Sequence, residues 1–198
     1  MIIDRFVFQV KKGCNDAAVA VIKEEIAIAE KGGGFTARLL ATVFGTFDEL
    51  VMEAEFEDMG QREAFWAKWA AERNPIFAAR FDPLNTGIGT NELWNVVEPV
   101  SHDPKCKLVN RREFLVVPGG MDAVAGIITS KREGLACNVH LSNLGFMNRV
   151  VMELELESLN AHDEIWAAWG EKHDTPEFWA KWDSLTLPGG VNEIWQVL

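Results

Sequence analysis

Residues 149–157 read Arg149-Val-Val-Met-Glu-Leu-Glu-Leu-Glu157, and residues 49–57 read Glu49-Leu-Val-Met-Glu-Ala-Glu-Phe-Glu57. Both stretches alternate apolar and polar side chains, which is the period of a β-strand with one face against a core. Each follows another strand-like segment and a turn near Gly45 or Gly145, so each is the second limb of a hairpin. The same hairpin therefore occurs twice, 100 positions apart.

The repeat extends far beyond the hairpin. Before it, the residues that recur 106 positions later are Arg5, Phe8, Val10, Gly13, Asp16 and Ile22. After it, Trp66 and Trp69 recur 100 positions later, and Asn91-Glu92-Leu93-Trp94 returns as Asn192-Glu193-Ile194-Trp195. We therefore predict a first repeat over residues 1–98, a linker over 99–107 and a second repeat over 108–198.

Each copy contains the order strand, helix, strand, strand, helix, strand, with a further short helix after Pro75 or Pro176. This is the ferredoxin-like plan, in which four antiparallel strands turn one face toward two helices and leave the other face uncovered. Because an uncovered face needs a partner, two copies in one chain can cover each other. The predicted fold class is α+β, with two tandem ferredoxin-like (βαββαβ) repeats whose antiparallel sheets pack face to face.

Local sequence predicts where several elements begin. Asp16 and Asp122 stand where a helix needs a capping carboxylate, and Thr175 precedes Pro176 as a cap precedes the first helical turn. The last strand of each copy is expected at residues 93–97 and 194–198.

The composition of the 198-residue chain excludes some partners. A formal net charge of −11 opposes binding to nucleic acid, which requires clustered Lys and Arg. No apolar run approaches the ~20 residues of a membrane helix, and no signal-peptide pattern follows Met1, so we expect a cytoplasmic protein without a membrane partner. Its three cysteines lack metal-ligand or redox spacing, which predicts reduced thiols and no metal site.

No motif for a cofactor is present, and none is expected to be bound. The stretch Gly87-Ile88-Gly89 lacks the third glycine and the following helix of a dinucleotide-binding loop. Haem is disfavoured because His140 is the one candidate axial ligand and acidic side chains beside it would repel the propionates.

Both copies resemble the dimeric α/β-barrel superfamily and, within it, the NIPSNAP family. The resemblance rests on residues 145–158 and on Pro176-Glu177-Phe178-Trp179, and the second copy is closer to the pattern. It implies an α/β barrel formed here within one chain. The candidate partners are a small organic ligand and a second copy of the chain in a homo-oligomer. It implies little about activity, because NIPSNAP proteins have no settled chemistry while other members of the superfamily include cofactor-free monooxygenases and isomerases.

Candidate site residues lie on the sheet face turned away from the helices. That face is expected to carry the carboxylates Glu53, Glu55, Glu153 and Glu155. Acids gathered in a partly enclosed space suit proton transfer. The second copy adds His140 where the first has Leu40, and an imidazole titrates near neutral pH.

From these residues we predict a site in the second copy. His140, Glu153 and Glu155 are the candidate catalytic residues. The candidate ligand-binding residues are Arg149, Arg111, Asn138, Glu53 and Glu55, of which the arginines can hold a carboxylate. A solvated or purely structural role for the acids remains an alternative.

Three functions follow from these features. The leading hypothesis is a NIPSNAP-like protein that binds a small organic molecule in a cavity between its two sheets. The alternatives are an interaction or scaffold protein with a filled barrel, and a cofactor-independent monooxygenase or isomerase that uses His140 or a glutamate as its base.

Overall fold

The structure is a computed structural model that describes residues 1–33, 35–98, 103–132, 135–145 and 147–198. It divides into two compact units, the first formed by Met1–Thr42, Thr46–Trp94 and Leu198, the second by Val43–Gly45 and Asn95–Val197. Residues 99–102 of the predicted linker lie outside the described residues.

The elements follow the predicted order in both halves of the chain. The first half contains β1 (Ile2–Val10), α1 (Asn15–Lys31), β2 (Thr36–Phe44), β3 (Glu49–Phe56), α2 (Met59–Glu72), α3 (Asn74–Phe81) and β4 (Asn85–Glu98). The second contains β5 (Leu108–Val116), α4 (Met121–Lys131), β6 (Cys137–Leu144), β7 (Arg149–Leu156), α5 (Leu159–His173), α6 (Pro176–Leu185) and β8 (Thr186–Val197). The predicted α+β class with two βαββαβ repeats is confirmed.

Each repeat contributes a four-stranded sheet, in the order β4-β1-β3-β2 for the first and β8-β5-β7-β6 for the second. The described registers are antiparallel, as for β6 with β7, β5 with β7 and β5 with β8. In β7 the apolar residues Val150, Met152, Leu154 and Leu156 pack in the helix-side core with Val124 and Ile128 of α4. The alternation seen in the sequence therefore assigns the two sheet faces correctly.

The closing strands are longer than expected. The prediction for the second repeat began at residue 194, but β8 begins at Thr186 and pairs with β5 as far as Val116. A register shift between Glu113 and Leu115 marks a bulge, and a Cβ on Gly190 would lie 2.5 Å from the carbonyl oxygen of Glu113. The glycines here permit close approach of two strands, which is why a turn-like sequence forms a strand.

Two of the predicted helix caps are wrong. Asp16 and Asp122 lie inside the first turn of α1 and α4, where their carboxylates face the positive end of the helix dipole. The Thr175 cap is confirmed, since its hydroxyl accepts from the Phe178 N–H at 3.2 Å. Within the described residues, no helix is long and apolar enough to cross a membrane.

Candidate functional site

The sequence-predicted residues of the second repeat lie on the sheet face away from the helices. Asn138, Glu153 and Arg111 form one row across β6, β7 and β5. In the next row His140 pairs with Val151, which in turn pairs with Glu113. His140 is 2% exposed and Glu153 is fully buried, so the structure brings a titratable imidazole and acids onto one buried face.

Arginines compensate these acids. The Arg111 guanidinium lies 3.1 Å from the Glu113 carboxylate and 3.5 Å from that of Glu153, and Arg149 also pairs with Glu113. Glu113, which the sequence analysis did not select, is thus the centre of the network. Paired buried charges of this kind hold two strands in register and also resemble the lining of a polar site.

The corresponding face of the first repeat also carries an ion-pair network. Glu53 accepts from Arg38 at 2.6 Å and from Arg5 at 3.2 Å, and Arg5 also contacts Glu92 at 3.4 Å. The position of His140 is taken here by the buried Leu40. A structural role is therefore the simplest account of Glu53.

The remaining two predicted acids have different surroundings. Glu155 is buried and accepts from the backbone N–H of Asp103 at 2.7 Å, which secures the chain entering β5. Glu55 is half-buried and lines an open depression together with Thr36 and Glu57.

A cavity of about 380 Å³ lies in the second unit on the helix side of the sheet. It was not predicted from the sequence. Strands β5, β6 and β7 supply one wall, and helices α4, α5 and α6 supply the others. Its aromatic lining consists of Phe114, Trp166, Trp169, Phe178, Trp179 and Trp182, and its charged lining of Arg112, Lys131, Arg132 and Asp174.

Comparison of the repeats explains this space. Leu135 and Ile165 line the cavity, whereas the first repeat has Phe35 and Phe65 at the equivalent positions. Those two rings contact each other at 4.5 Å between centroids and both pack beside Trp66. The first repeat has a pocket of about 370 Å³ beside α1 and α2, but no described strand residue lines it. Replacing two phenylalanines by aliphatic side chains removes ring volume from a close-packed core, so the cavity of the second repeat extends down to the sheet.

Arg112 is the unusual residue of the cavity wall. Its guanidinium carbon lies 3.6 Å from the centroid of the Trp166 ring, and its Nε donates to the Asn110 amide oxygen at 3.2 Å. Among the described residues no carboxylate pairs with it. Burial lowers the pKa of Arg112, but an arginine side chain stays charged in a protein. The equivalent residue in the first repeat is Phe6, whose ring contacts Trp66 at 5.1 Å.

Two buried nitrogens at or beside Trp166 lack hydrogen-bond partners among the described residues. They are the indole Nε1 of Trp166 and the Nε2 of His162, whose ring centroid lies 6.3 Å from that of Trp166. The other ring nitrogen of His162 contacts the Asp163 carboxylate at 2.9 Å. Buried polar atoms are normally satisfied, so this cluster has capacity for a ligand atom or water.

Cys137 at the cavity wall is not a candidate nucleophile. It is 1% exposed, and burial raises the pKa of its thiol to about 12. In the part of the chain that the structure describes, no three His, Cys, Asp or Glu side chains gather as they would around a metal ion.

The chain is similar to solved structures along its whole length. A candidate monooxygenase of Fusobacterium nucleatum is 13% identical, with a TM-score of 0.72 over 100% of this chain and 92% of that one. An anthrone oxidase-like protein is also 13% identical, with a TM-score of 0.67 over 100% of this chain and 91% of that one.

The NIPSNAP resemblance covers less of the chain than the sequence analysis implied. An uncharacterised NIPSNAP domain protein of Burkholderia xenovorans is 15% identical, and the match spans 52% of this chain and 99% of that one with a TM-score of 0.41. No family model and no curated protein matches the sequence. At these identities the likeness shows the fold alone, and the chain has the fold of the dimeric α/β-barrel superfamily.

Proposed function

We propose that the chain binds a small aromatic molecule in the cavity of the second repeat and oxidises it with molecular oxygen, as a cofactor-independent monooxygenase. The observation that carries this proposal is the aromatic-lined cavity of about 380 Å³, whose lining residue Trp166 has a buried indole nitrogen without a partner among the described residues. A concave, mostly apolar pocket with a few convergent polar groups is the usual form of a small-molecule site. The names of the two full-length structural neighbours favour oxygen chemistry over other uses of such a pocket.

The chemistry suits substrates that form a stabilised carbanion. A base removes a proton from a ring methylene, and the delocalised anion transfers electrons to O₂ and forms a carbon–oxygen bond as a peroxide. Loss of water from the peroxide leaves a carbonyl group. One methylene and one O₂ thus become one carbonyl and one water, and no external reductant is required.

The candidate base for this step is His162, which lies one turn before the cavity residue Trp166 on α5 and is not itself part of the described lining. Its Nε2 is buried and without a partner among the described residues, while Asp163 contacts Nδ1 and fixes the orientation of the ring. The unprotonated nitrogen of a neutral imidazole can accept a proton from a bound substrate. The stacked Trp166 and Arg112 provide a flat surface and a positive charge for the resulting anion.

A second location for the base is the helix-free face of the same repeat. The buried His140 and its neighbours Glu153 and Arg111 support this alternative, since buried and closely paired charged groups often mark functional sites. The repeats supply a matched substitution here, because His140→Leu introduces the residue of the first repeat.

Oxygen uptake with anthrone tests the function and separates the two locations. We expect enzyme-dependent O₂ consumption above the autoxidation blank, with anthraquinone formed in equal amount. His162→Gln should lower kcat by about 100-fold or more, as loss of a general base does, while His140→Leu retains at least half of the activity. If His140→Leu loses activity and His162→Gln keeps it, the base lies on the helix-free face. No uptake above the blank with anthrone would refute the proposal.

A further inference from the structure

The charges around the second-repeat cavity are opposite in sign to the charge of the whole chain. The formal net charge is −11, yet three cations and one carboxylate line the cavity among the described residues. The carboxylate, Asp174, accepts from the Trp179 indole at 2.5 Å. The part of the cavity lining that the structure describes is therefore net positive, in a protein that is acidic as a whole.

The three cations are not equivalent. Arg132 pairs with Glu98 at 2.6 Å and donates to the Cys137 carbonyl, so its charge is already compensated. Lys131 lies at the last turn of α4, where the helix dipole favours a cation. Arg112 differs from both, because it lies on the sheet in contact with Trp166 and has no acidic partner among the described residues.

A half-buried guanidinium without a counter-ion lowers the stability of the protein unless an anion or another acceptor pairs with it. The Asn110 amide oxygen satisfies one of its N–H groups, which leaves donors suited to a carboxylate. The first repeat avoids this cost by placing Phe6 against Trp66.

Resting on the proposed function, we infer that the cavity takes an anionic aromatic compound whose carboxylate, or equivalent oxyanion, binds Arg112 beside Trp166 while its rings occupy the aromatic lining. Arg112 then acts as the specificity-determining residue of the site. The first repeat has Phe6 at the position of Arg112, and no described strand residue lines its pocket, so the described sheet of that repeat offers no cation equivalent to Arg112.

Calorimetric titration of the full chain with 2-naphthoate and 2-naphthalenemethanol tests this inference, since the two probes share a ring and differ in charge. We expect the wild-type protein to bind the acid at least about tenfold more tightly than the alcohol, as a charge-assisted hydrogen bond allows. Arg112→Phe, which introduces the residue of the first repeat, should remove this preference by weakening the acid while leaving the alcohol within about threefold. The control Arg132→Gln should keep most of the preference, because Glu98 already compensates Arg132.

Failure of the inference is distinguishable from failure of the proposed function. Equal affinities for both probes, or a preference that survives in Arg112→Phe, would overturn the inference and leave the oxygenase proposal intact. If the wild-type protein oxidises anthrone but does not bind 2-naphthoate, the inference is likewise overturned and the oxygenase proposal stays intact. If neither probe binds and anthrone is not oxidised, both proposals fall.

Discussion

The indole N–H of Trp66 donates to the carboxylate of Asp4 at 2.8 Å. Asp4 is fully buried and also accepts from Arg62 at 2.6 Å, so three side chains of the first repeat satisfy one another. In the second repeat the equivalent residues are Asn110, His162 and Trp166. Because Asn110 stands where the first repeat has Asp4, the second cluster lacks the carboxylate that accepts both hydrogen bonds in the first.

Asp4→Asn should therefore destabilise the protein. The amide cannot compensate Arg62, and one of its two polar atoms is a donor facing other donors. We expect a loss of about 1–3 kcal/mol in the free energy of unfolding, measured by urea denaturation. Asp58→Asn makes the same chemical change at the exposed cap of α2, where Asn and Asp serve equally well, and should cost only a few tenths of a kcal/mol. Equal effects of the two variants would contradict this account of Asp4.

The reverse change, Asn110→Asp, should neutralise the positive charge of Arg112 in the cavity. Asn110 already accepts from Arg112, so a carboxylate at this position would form an ion pair with the guanidinium. We expect the preference for 2-naphthoate over 2-naphthalenemethanol to fall about tenfold in calorimetry, with little change for the alcohol. An unchanged preference would show that a carboxylate at position 110 does not neutralise the Arg112 guanidinium.

The fold could be predicted from the sequence because the residues that determine its strands and helices are the same at equivalent positions of the two repeats. Strand alternation in residues 149–157 assigns the faces of β7, and the structure agrees with this assignment residue by residue. The glycine-rich starts of β4 and β8 were missed, since the bulge that Gly190 permits depends on a neighbouring strand that the local sequence does not reveal.

The extension of the second-repeat cavity to the sheet could not be predicted from identical positions, because the residues that open it differ between the repeats. The changes from Phe35 to Leu135 and from Phe65 to Ile165 each look conservative in a sequence. The position of Arg112 is informative, because it lies two and four residues before Phe114 and Val116 on β5. Strand alternation therefore places this cation on the helix side of the sheet. Comparison of the repeats at that position would have found it.

Glu53→Gln should be strongly destabilising. Glu53 is 2% exposed and lies between Arg38 and Arg5, so an uncharged amide leaves two buried or half-buried guanidinium groups facing each other. Removal of one partner from a buried ion pair costs about 3–5 kcal/mol. Urea denaturation should show this loss, whereas the exposed Glu57→Gln should stay within about 0.5 kcal/mol of wild type. A loss below about 1 kcal/mol for Glu53→Gln would indicate that water reaches the network.

Cys137 should be inert toward thiol reagents in the folded protein. Burial raises the pKa of this thiol to about 12, so at pH 8 it is protonated, and the thiol form is a poor nucleophile. Cys14 and Cys106 are partly exposed. With Ellman's reagent at pH 8 we expect these two to react within minutes and Cys137 to react only after urea is added. Three equally fast thiols would mean that the cavity wall opens to solvent.

Ile165→Phe should fill the cavity with the residue that the first repeat uses. Phe65 packs against Phe35 and Trp66 at 4.5 and 5.0 Å, so the fold accommodates a ring at this position. We expect binding of 2-naphthoate to fall at least about tenfold while the free energy of unfolding stays the same or rises by up to about 1 kcal/mol, because ring carbons replace empty space. The matched control Phe65→Ile removes a ring from the aromatic cluster of the first repeat and should cost about 1–3 kcal/mol without affecting naphthoate binding in the second. Tight naphthoate binding that persists in Ile165→Phe would place the ligand outside this cavity.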